Sequence, residues 1–296
     1  MMLTRVTNQM TALQSQHNLQ AGASRVAEAQ GRASSLQKIA KPSDDPTGAA
    51  EALRVKSLQS ALVQHSRNVD DGNGWLSTAD TALSSADSLL AKVRELTLQG
   101  ANEGTLSQGA RDAIATEIDG LKKDLLAVAN ASFNGRSVFA GTSDAGVAFR
   151  DDFSYTGTAG SAVTRRVGAE TTVRVDADGA AAFGTGPASV FSLIDTITGD
   201  LRSGATNVAT HLTALDARVT DLRGVQSGIG ASHAQLLRAD DTLMDTSVTL
   251  EAQRSGIEDL DLGQAVLDLQ LKNNSYQAAL AVTAKVLQTS LMDFIR

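Results

Sequence analysis

Positions 55–93 read VKSLQSALVQHSRNVDDGNGWLSTADTALSSADSLLAKV, and alternate steps of three and four residues through them land on Val55, Leu58, Leu62, His65, Val69, Gly72, Leu76, Ala79, Leu83, Ala86, Leu90 and Val93. A mostly apolar repeat near 3.5 residues keeps one stripe turned toward a partner helix, which is the pattern of a coiled coil. Proline is absent from 47 to 186 and from 188 to 296, so no residue of that type breaks a helix there. Segment 47–99 therefore predicts a rod of about 80 Å at about 1.5 Å per residue. A second seam answers the first through Val208, Leu212, Leu215, Val219, Leu222, Gln226, Ile229, His233, Leu236, Asp240, Leu243, Ser247 and Leu250. Between them Ile114, Ile118, Leu121, Leu125 and Val128 share one helical face, and the turn between Gly100 and Gly109 would let that helix pack antiparallel on the first rod.

The centre reads differently. Six of the ten aromatic residues (Phe133, Phe139, Phe149, Phe153, Tyr155 and Phe183) fall between 133 and 183, among clustered glycines and short β-branched runs such as Thr171-Thr172-Val173-Arg174-Val175. These are signals of short strands and tight turns. The predicted fold is mainly α, an elongated antiparallel helical coiled-coil bundle built from both termini with a small β-rich inserted domain. Its expected parts are an N-terminal helix and turn (1–46), the N-terminal half of a rod (47–136), the insertion (137–190), the C-terminal half of the rod (191–254) and a C-terminal helix (255–296). Asp45 is placed to N-cap the first rod with Pro46 at the first helical position, and Asp44 precedes it in the turn. Ser255-Gly256-Ile257-Glu258 has capping-box spacing, and Asp259 and Asp261 offer further N-cap oxygens, so a break and restart is expected near 255–261.

Both ends are amphipathic. Leu3, Val6, Met10 and Leu13 recur at helical spacing and Leu19, Val26 and Ala33 continue a neighbouring stripe, while Leu262, Val266, Leu269, Tyr276, Leu280, Leu287, Leu291 and Phe294 mark the last segment. Arg5 is the one formally charged side chain in the first 24 residues. With few ion pairs one turn apart, such a helix has little to hold it in isolation and needs a partner. The two stripes can satisfy each other within one chain, as in any closed bundle, or leave surface for neighbouring subunits. A membrane surface is disfavoured because the polar faces lack the Lys and Arg that attract anionic lipid.

Composition narrows the function. The chain has 296 residues, 26 Lys and Arg against 33 Asp and Glu, a formal charge of −7 and no Cys. Nucleic-acid binding needs clustered basic residues to displace counterions, and none occur. The absence of Cys removes disulfides, thiolate metal sites and cysteine nucleophiles. No apolar run is long enough to span a membrane, and the start lacks a secretory signal pattern, so export by a cleaved signal peptide is not expected. His17, His65, His211 and His233 are scattered, and no complete dinucleotide loop, P-loop or G-x-S-x-G elbow occurs. The acidic doublets Asp44-Asp45, Asp70-Asp71, Asp151-Asp152 and Asp240-Asp241 read as caps, turns and solvated faces. No cofactor, metal or catalytic residue is expected. An enzyme could be lodged only in 137–190, with Asp151 and Asp152 as the candidate acid/base pair.

Certain stretches carry a resemblance. Thr7-Asn8-Gln9-Met10, Leu13 and Asn18-Leu19, then Ile39-Ala40-Lys41-Pro42-Ser43-Asp44-Asp45-Pro46-Thr47-Gly48-Ala49-Ala50, and at the other end Ser255-Gly256-Ile257-Glu258-Asp259-Leu260-Asp261-Leu262 followed by Tyr276-Gln277-Ala278-Ala279-Leu280, resemble the flagellin-like axial proteins of bacterial flagella. Within that family the Pro-Ser-Asp-Asp-Pro turn, Asn134-Gly135-Arg136-Ser137-Val138-Phe139-Ala140-Gly141-Thr142 and the ending Leu287-Gln288-Thr289-Ser290-Leu291-Met292-Asp293-Phe294 resemble the hook-filament junction proteins. The Met1-Met2-Leu3 start and Gln37-Lys38, where the family often has Gly-Arg, depart from the pattern.

The resemblance implies a non-catalytic structural role in the extracellular flagellum. It implies passage unfolded through the flagellar type III export channel under an export chaperone at the C-terminal helix. Self-association in a ring on the inner junction protein (hook-associated protein 1) would follow, and then flagellin assembly on top. Terminal helices would form the inner core and the insertion would face outward. Absent Cys and weakly held terminal helices suit that passage. Leu269→Asp or Val6→Asp is expected to block assembly more than it unfolds the central rods. The other readings are a flagellin, which self-polymerises, and a cytosolic coiled-coil scaffold, which would have folded termini and dimerise.

Overall fold

The structure, a computed structural model, describes residues 2–101, 106–158, 160–205 and 207–294, with side chains described for 10, 12–101, 106–158, 160–205 and 207–285. It divides into two compact units: residues up to 60 together with those from 246 onward, and residues 61–245. Helix α1 (Met2–Ser35) and helix α7 (Leu262–Phe294) belong to the first unit, while α2 (Pro46–Gly100) and α6 (His211–Glu258) each contribute to both.

In the second unit the predicted seams are buried. Val69, Leu76, Ala79, Leu83, Ala86, Leu90 and Val93 of α2 join one apolar core with Leu215, Leu222, Ile229, Leu236 and Leu243 of α6. The two helices run antiparallel: Arg94 pairs with Asp216, Arg223 with Asp87, and Gln226 Nε2 donates to Asp80 Oδ1. The Arg94 guanidinium holds the Asp216 carboxyl below its usual range. Helix α3 (Gln108–Ala129) buries Ile114, Ile118 and Leu125, and its end lies beside Ser77, Thr78 and Thr81 of α2, the antiparallel placement the spacing predicts.

The stretch expected as one C-terminal rod half holds two helices. α5 (Val190–Ser203) is capped by Ser189, whose Oγ accepts from the Ser192 N–H, and stops at Gly204, where φ is 71°. Such a left-handed glycine lets the chain leave the last turn with its carbonyls satisfied. α5 packs along α3, with Arg202 paired to Asp119 and Lys122 to Asp195.

Among the described residues the centre holds two short strand pairs, the first at the entry to the insertion. β1 (Ser132–Phe133) pairs with β2 (Arg136–Ser137), and β3 (Thr164–Arg166) with β4 (Thr172–Arg174), both antiparallel. Between β1 and β2, Asn134 and Gly135 have φ of 51° and 78°, the two positive values that match a tight hairpin to strand twist. The remainder is ordered by side chains. Asn130, at the end of α3, accepts from the Ala148 and Phe149 N–H groups at 2.8 Å and donates to the Phe149 carbonyl at 2.7 Å. Phe183, on the short helix α4 (Gly179–Phe183), meets Phe139 and Phe149 edge-on at 5.3 and 5.7 Å and stacks with Phe191 at 6.3 Å. Asp176 is buried and binds Arg174 and the Val163 N–H, tying β4 to the strand before it.

Candidate assembly surface

The first unit is where the expected site residues gather. α1 and α7 pack antiparallel: the Lys38 N–H donates to the Glu258 carbonyl at 2.7 Å, the Leu260 N–H to the Leu36 carbonyl at 3.0 Å, and farther along the pair Gly22 lies against Tyr276. The inward positions of α1 include Ala12, Ser15, Leu19, Gly22, Val26, Ala29 and Ala33, and those of α7 include Ala265, Leu269, Lys272, Tyr276, Ala279 and Thr283. Both sets step by three and four, so each helix turns one coiled-coil seam to the other. The seam is narrow because most of its members are small. A β-carbon at Gly22 would stand 3.1 Å from Tyr276 Cδ2, which marks how closely the helices approach.

The expected residues therefore divide. Leu19, Val26, Leu269 and Tyr276 lie on the seam between the two helices. Met10, Leu13, Leu262, Val266 and Leu280, joined by Leu267, Leu271 and Val282, keep 42–67% of their surface exposed. The side chains of Leu3, Val6, Leu287, Leu291 and Phe294 lie outside the described residues. Clusters of large apolar side chains left in water are a feature of surfaces that other proteins cover. Covering them would stabilise an assembly by roughly 25 cal/mol per Å² of apolar area.

The turn residues hold the start of α2. The Asp45 Oδ1 accepts from the Gly48 N–H at 2.9 Å with Pro46 at the first helical position, and Asp44 Oδ2 accepts from the Lys41 N–H at 3.0 Å. Gly48 is closely approached: a β-carbon there would come within 2.7 Å of Ile39 Cδ1 and 2.4 Å of Asp45 Oδ2, so the capping carboxylate would have to shift. At the other joint Asp261 caps α7, accepting from the Gly263 and Gln264 N–H groups at 2.9 and 3.2 Å. Ser255 does not form a capping box: it lies inside the last turn of α6 and its Oγ donates to Asp259 Oδ2. α6 runs on to Glu258, and in its last turns Arg254 pairs with both Glu251 and Glu258, while Glu258 also pairs with Lys56 of α2. Arg254, with help from Gln59, holds the Glu251 carboxyl low. The sequence reading missed this network and the Gly22 to Tyr276 approach, although the seam spacing already contains both residues.

The chemistry-bearing residues have structural partners. His211 Nε2 lies 2.7 Å from Asp200 Oδ2, and His65 Nδ1 lies 3.3 Å from the Arg166 carbonyl. Asp152 accepts from Ser154 in a turn, which lowers its carboxyl below the usual range, and Asp71 pairs with Arg165. Among the described residues no three His, Cys, Asp or Glu gather as a metal site, and no helix is long and apolar enough to cross a membrane.

Comparison with known proteins agrees with this arrangement. The bacterial flagellin N-terminal helical region matches residues 6–144 and the bacterial flagellin C-terminal helical region matches residues 212–295. The flagellin of Bacillus subtilis (strain 168) is 25% identical over 300 residues, covering 96% of each chain. That of Salmonella muenchen is 37% identical over 135 residues, covering 45% of this chain and 26% of its own. Among solved structures, Bacillus cereus FlgL has a TM-score of 0.59 at 19% identity, covering 68% of this chain and 99% of that one. Hook-associated protein-3 of Legionella pneumophila has a TM-score of 0.61 at 15% identity, covering 69% and 98%. At such identity the structures speak for the fold. The paired terminal helices, the antiparallel seams and the two matched regions together make this chain a member of the flagellin-like family of flagellar structural proteins.

Proposed function

We propose that this chain acts as an outer hook-filament junction protein, a hook-associated protein 3, rather than as a filament subunit. The observation that carries the reading is the fold likeness over nearly the full length of solved hook-associated chains, 99% and 98% of them. The Pro42 to Pro46 turn and the Asn134 to Thr142 entry into the insertion support it. In this reading subunits form a ring on the inner junction protein, present a platform to flagellin, and reach the cell exterior through the flagellar export channel with a chaperone. The exposed apolar faces of α1 and α7 are the contact surface, with 1–46 and 255–296 as the assembling parts, 47–136 and 191–254 as the rod and 137–190 outward. A flagellin role is the second reading, favoured by the full-length match to a Bacillus flagellin.

Electron microscopy separates the two. The purified chain is added to isolated hook-basal bodies carrying the inner junction protein, and separately to filament seeds. A short collar on hooks with no growth of seeds is expected. Long filaments from seeds would make it a flagellin, and binding to neither would favour the scaffold reading.

A further inference from the structure

We propose that Asn134 is a site of self-modification, at which the hairpin between β1 and β2 converts with age to aspartate and isoaspartate. The chain holds the dipeptide Asn-Gly twice, at 73–74 and at 134–135, in opposite surroundings. Asn134 and Gly135 are both exposed at the tip of a two-residue loop. The Asn134 carboxamide has no hydrogen-bond partner among the described residues. The ladder joins Phe133 to Arg136, which leaves the Gly135 N–H outside it, and nothing lies within 4 Å of where a side chain at 135 would begin. Both the attacking nitrogen and the carbonyl carbon it needs are therefore open to water and unobstructed.

The step is internal and involves no oxidation or reduction. The Gly135 amide nitrogen gives up its proton to solvent and attacks Asn134 Cγ. The Cγ–Nδ2 bond breaks, ammonia leaves with a proton from solvent, and a five-membered succinimide closes. Water then opens one of its two carbonyls, returning an aspartate at 134 or a β-linked isoaspartate. One water is consumed and one ammonia released.

Asn73-Gly74 serves as a control within the same molecule. It lies in the middle of α2, where the Gly74 N–H belongs to the helical ladder and cannot swing toward the side chain. Asn73 Oδ1 is buried, and Gly74 is pressed against the Phe133 ring.

The modification has a local consequence. An isoaspartate adds a methylene to the backbone of a loop whose two residues set the strand register. Phe133, next to it, loses its seat on Gly74 and its approach to Trp75 at 6.0 Å.

The full chain is incubated at mildly alkaline pH, digested and mapped by mass spectrometry, with an isoaspartyl methyltransferase assay on the same samples. Conversion is expected at Asn134 and faster at higher pH, with Asn73 intact, and Asn134→Gln should abolish it. Trp75 is the one tryptophan, and its emission should shift in the isoaspartyl form and stay constant both in the Asn134→Gln variant and in unsubstituted chain kept at acidic pH. An Asn134 that stays intact while a free peptide spanning 131–138 converts, or conversion at Asn73 as fast as at Asn134, would overturn the assignment. Unchanged Trp75 emission in fully converted chain would overturn the consequence.

Discussion

Gly22 of α1 and Tyr276 of α7 face each other where the two terminal helices meet, with 3.1 Å from a β-carbon built on the glycine to the ring. A small substituent can be absorbed by a ring that is only half-buried, while a branched chain cannot. Gly22→Leu is expected to part the helices, with loss of helical signal and faster proteolysis confined to α1 and α7. Limited proteolysis with peptide mapping checks this, and cleavage within α3 or α5 should be unchanged.

In the second unit, Gly74 lies under the hairpin of β1 and β2. A β-carbon there would come within 2.4 Å of Phe133 Cζ, so Gly74→Ala should destabilise by about 1–3 kcal/mol. The same change at an open helical position would instead gain about 1 kcal/mol. Adding Phe133→Ala should recover part of the loss, and a double-mutant cycle by urea denaturation measures the coupling.

The division of the terminal residues changes which substitutions test assembly. Leu269 lies on the seam between α1 and α7, so Leu269→Asp damages the monomer as well as any contact it makes. Leu13→Asp and Val266→Asp alter exposed positions and should move the monomer's stability by no more than about 0.5 kcal/mol. Addition to hooks should fall sharply. Thermal melts beside a sedimentation assay with isolated hooks check both halves.

The caps carry a separate expectation. Asp45→Ala and Asp261→Ala each remove an oxygen that satisfies helix N–H groups, costing about 0.5–2 kcal/mol. Ser255→Ala removes only a bond to an exposed carboxylate and should cost no more than about 0.5 kcal/mol. Chemical denaturation of the three variants ranks them.

Tyr155 sets an alkaline limit on the insertion. Burial, followed by the carboxylates of Asp178 and Asp176, pushes its phenol up, while its O–H donates to the Phe139 carbonyl at 2.9 Å. A folded pKa above the unfolded one means that the stabilisation is complete below the unfolded value of about 10. It is lost as pH rises through the folded value. Stability should therefore fall in that alkaline window, and Tyr155→Phe should flatten the fall, as measured by urea melts across pH.

The rods were legible because a 3.5-residue repeat survives His65 and Gly72 in the first seam and Gln226, His233, Asp240 and Ser247 in the second without losing its phase. Asp45-Pro46 was legible because capping is local. The terminal pair was harder: α1 carries two adjacent apolar stripes, and the one that faces α7 is marked mainly by Ala12, Gly22, Ala29 and Ala33, which hydrophobicity barely registers. The insertion resisted for another reason. Its order comes from Asn130, Phe149, Phe183 and Phe191, which meet across long stretches of chain rather than along a strand period. Ser255 misled because its spacing to Glu258 also fits a cap, whereas α6 runs through it to Glu258 and the cap of the next helix falls at Asp261.

Hydrogen exchange, measured peptide by peptide on the free chain and on the chain bound to hooks, tests most directly whether the terminal helices are the assembling surface. The account predicts fast exchange in α1 and α7 of the free chain, strong protection of both after binding, and little change in α3, α5 and the core of α6. Protection gained across 132–183 with α1 and α7 unaltered would contradict it.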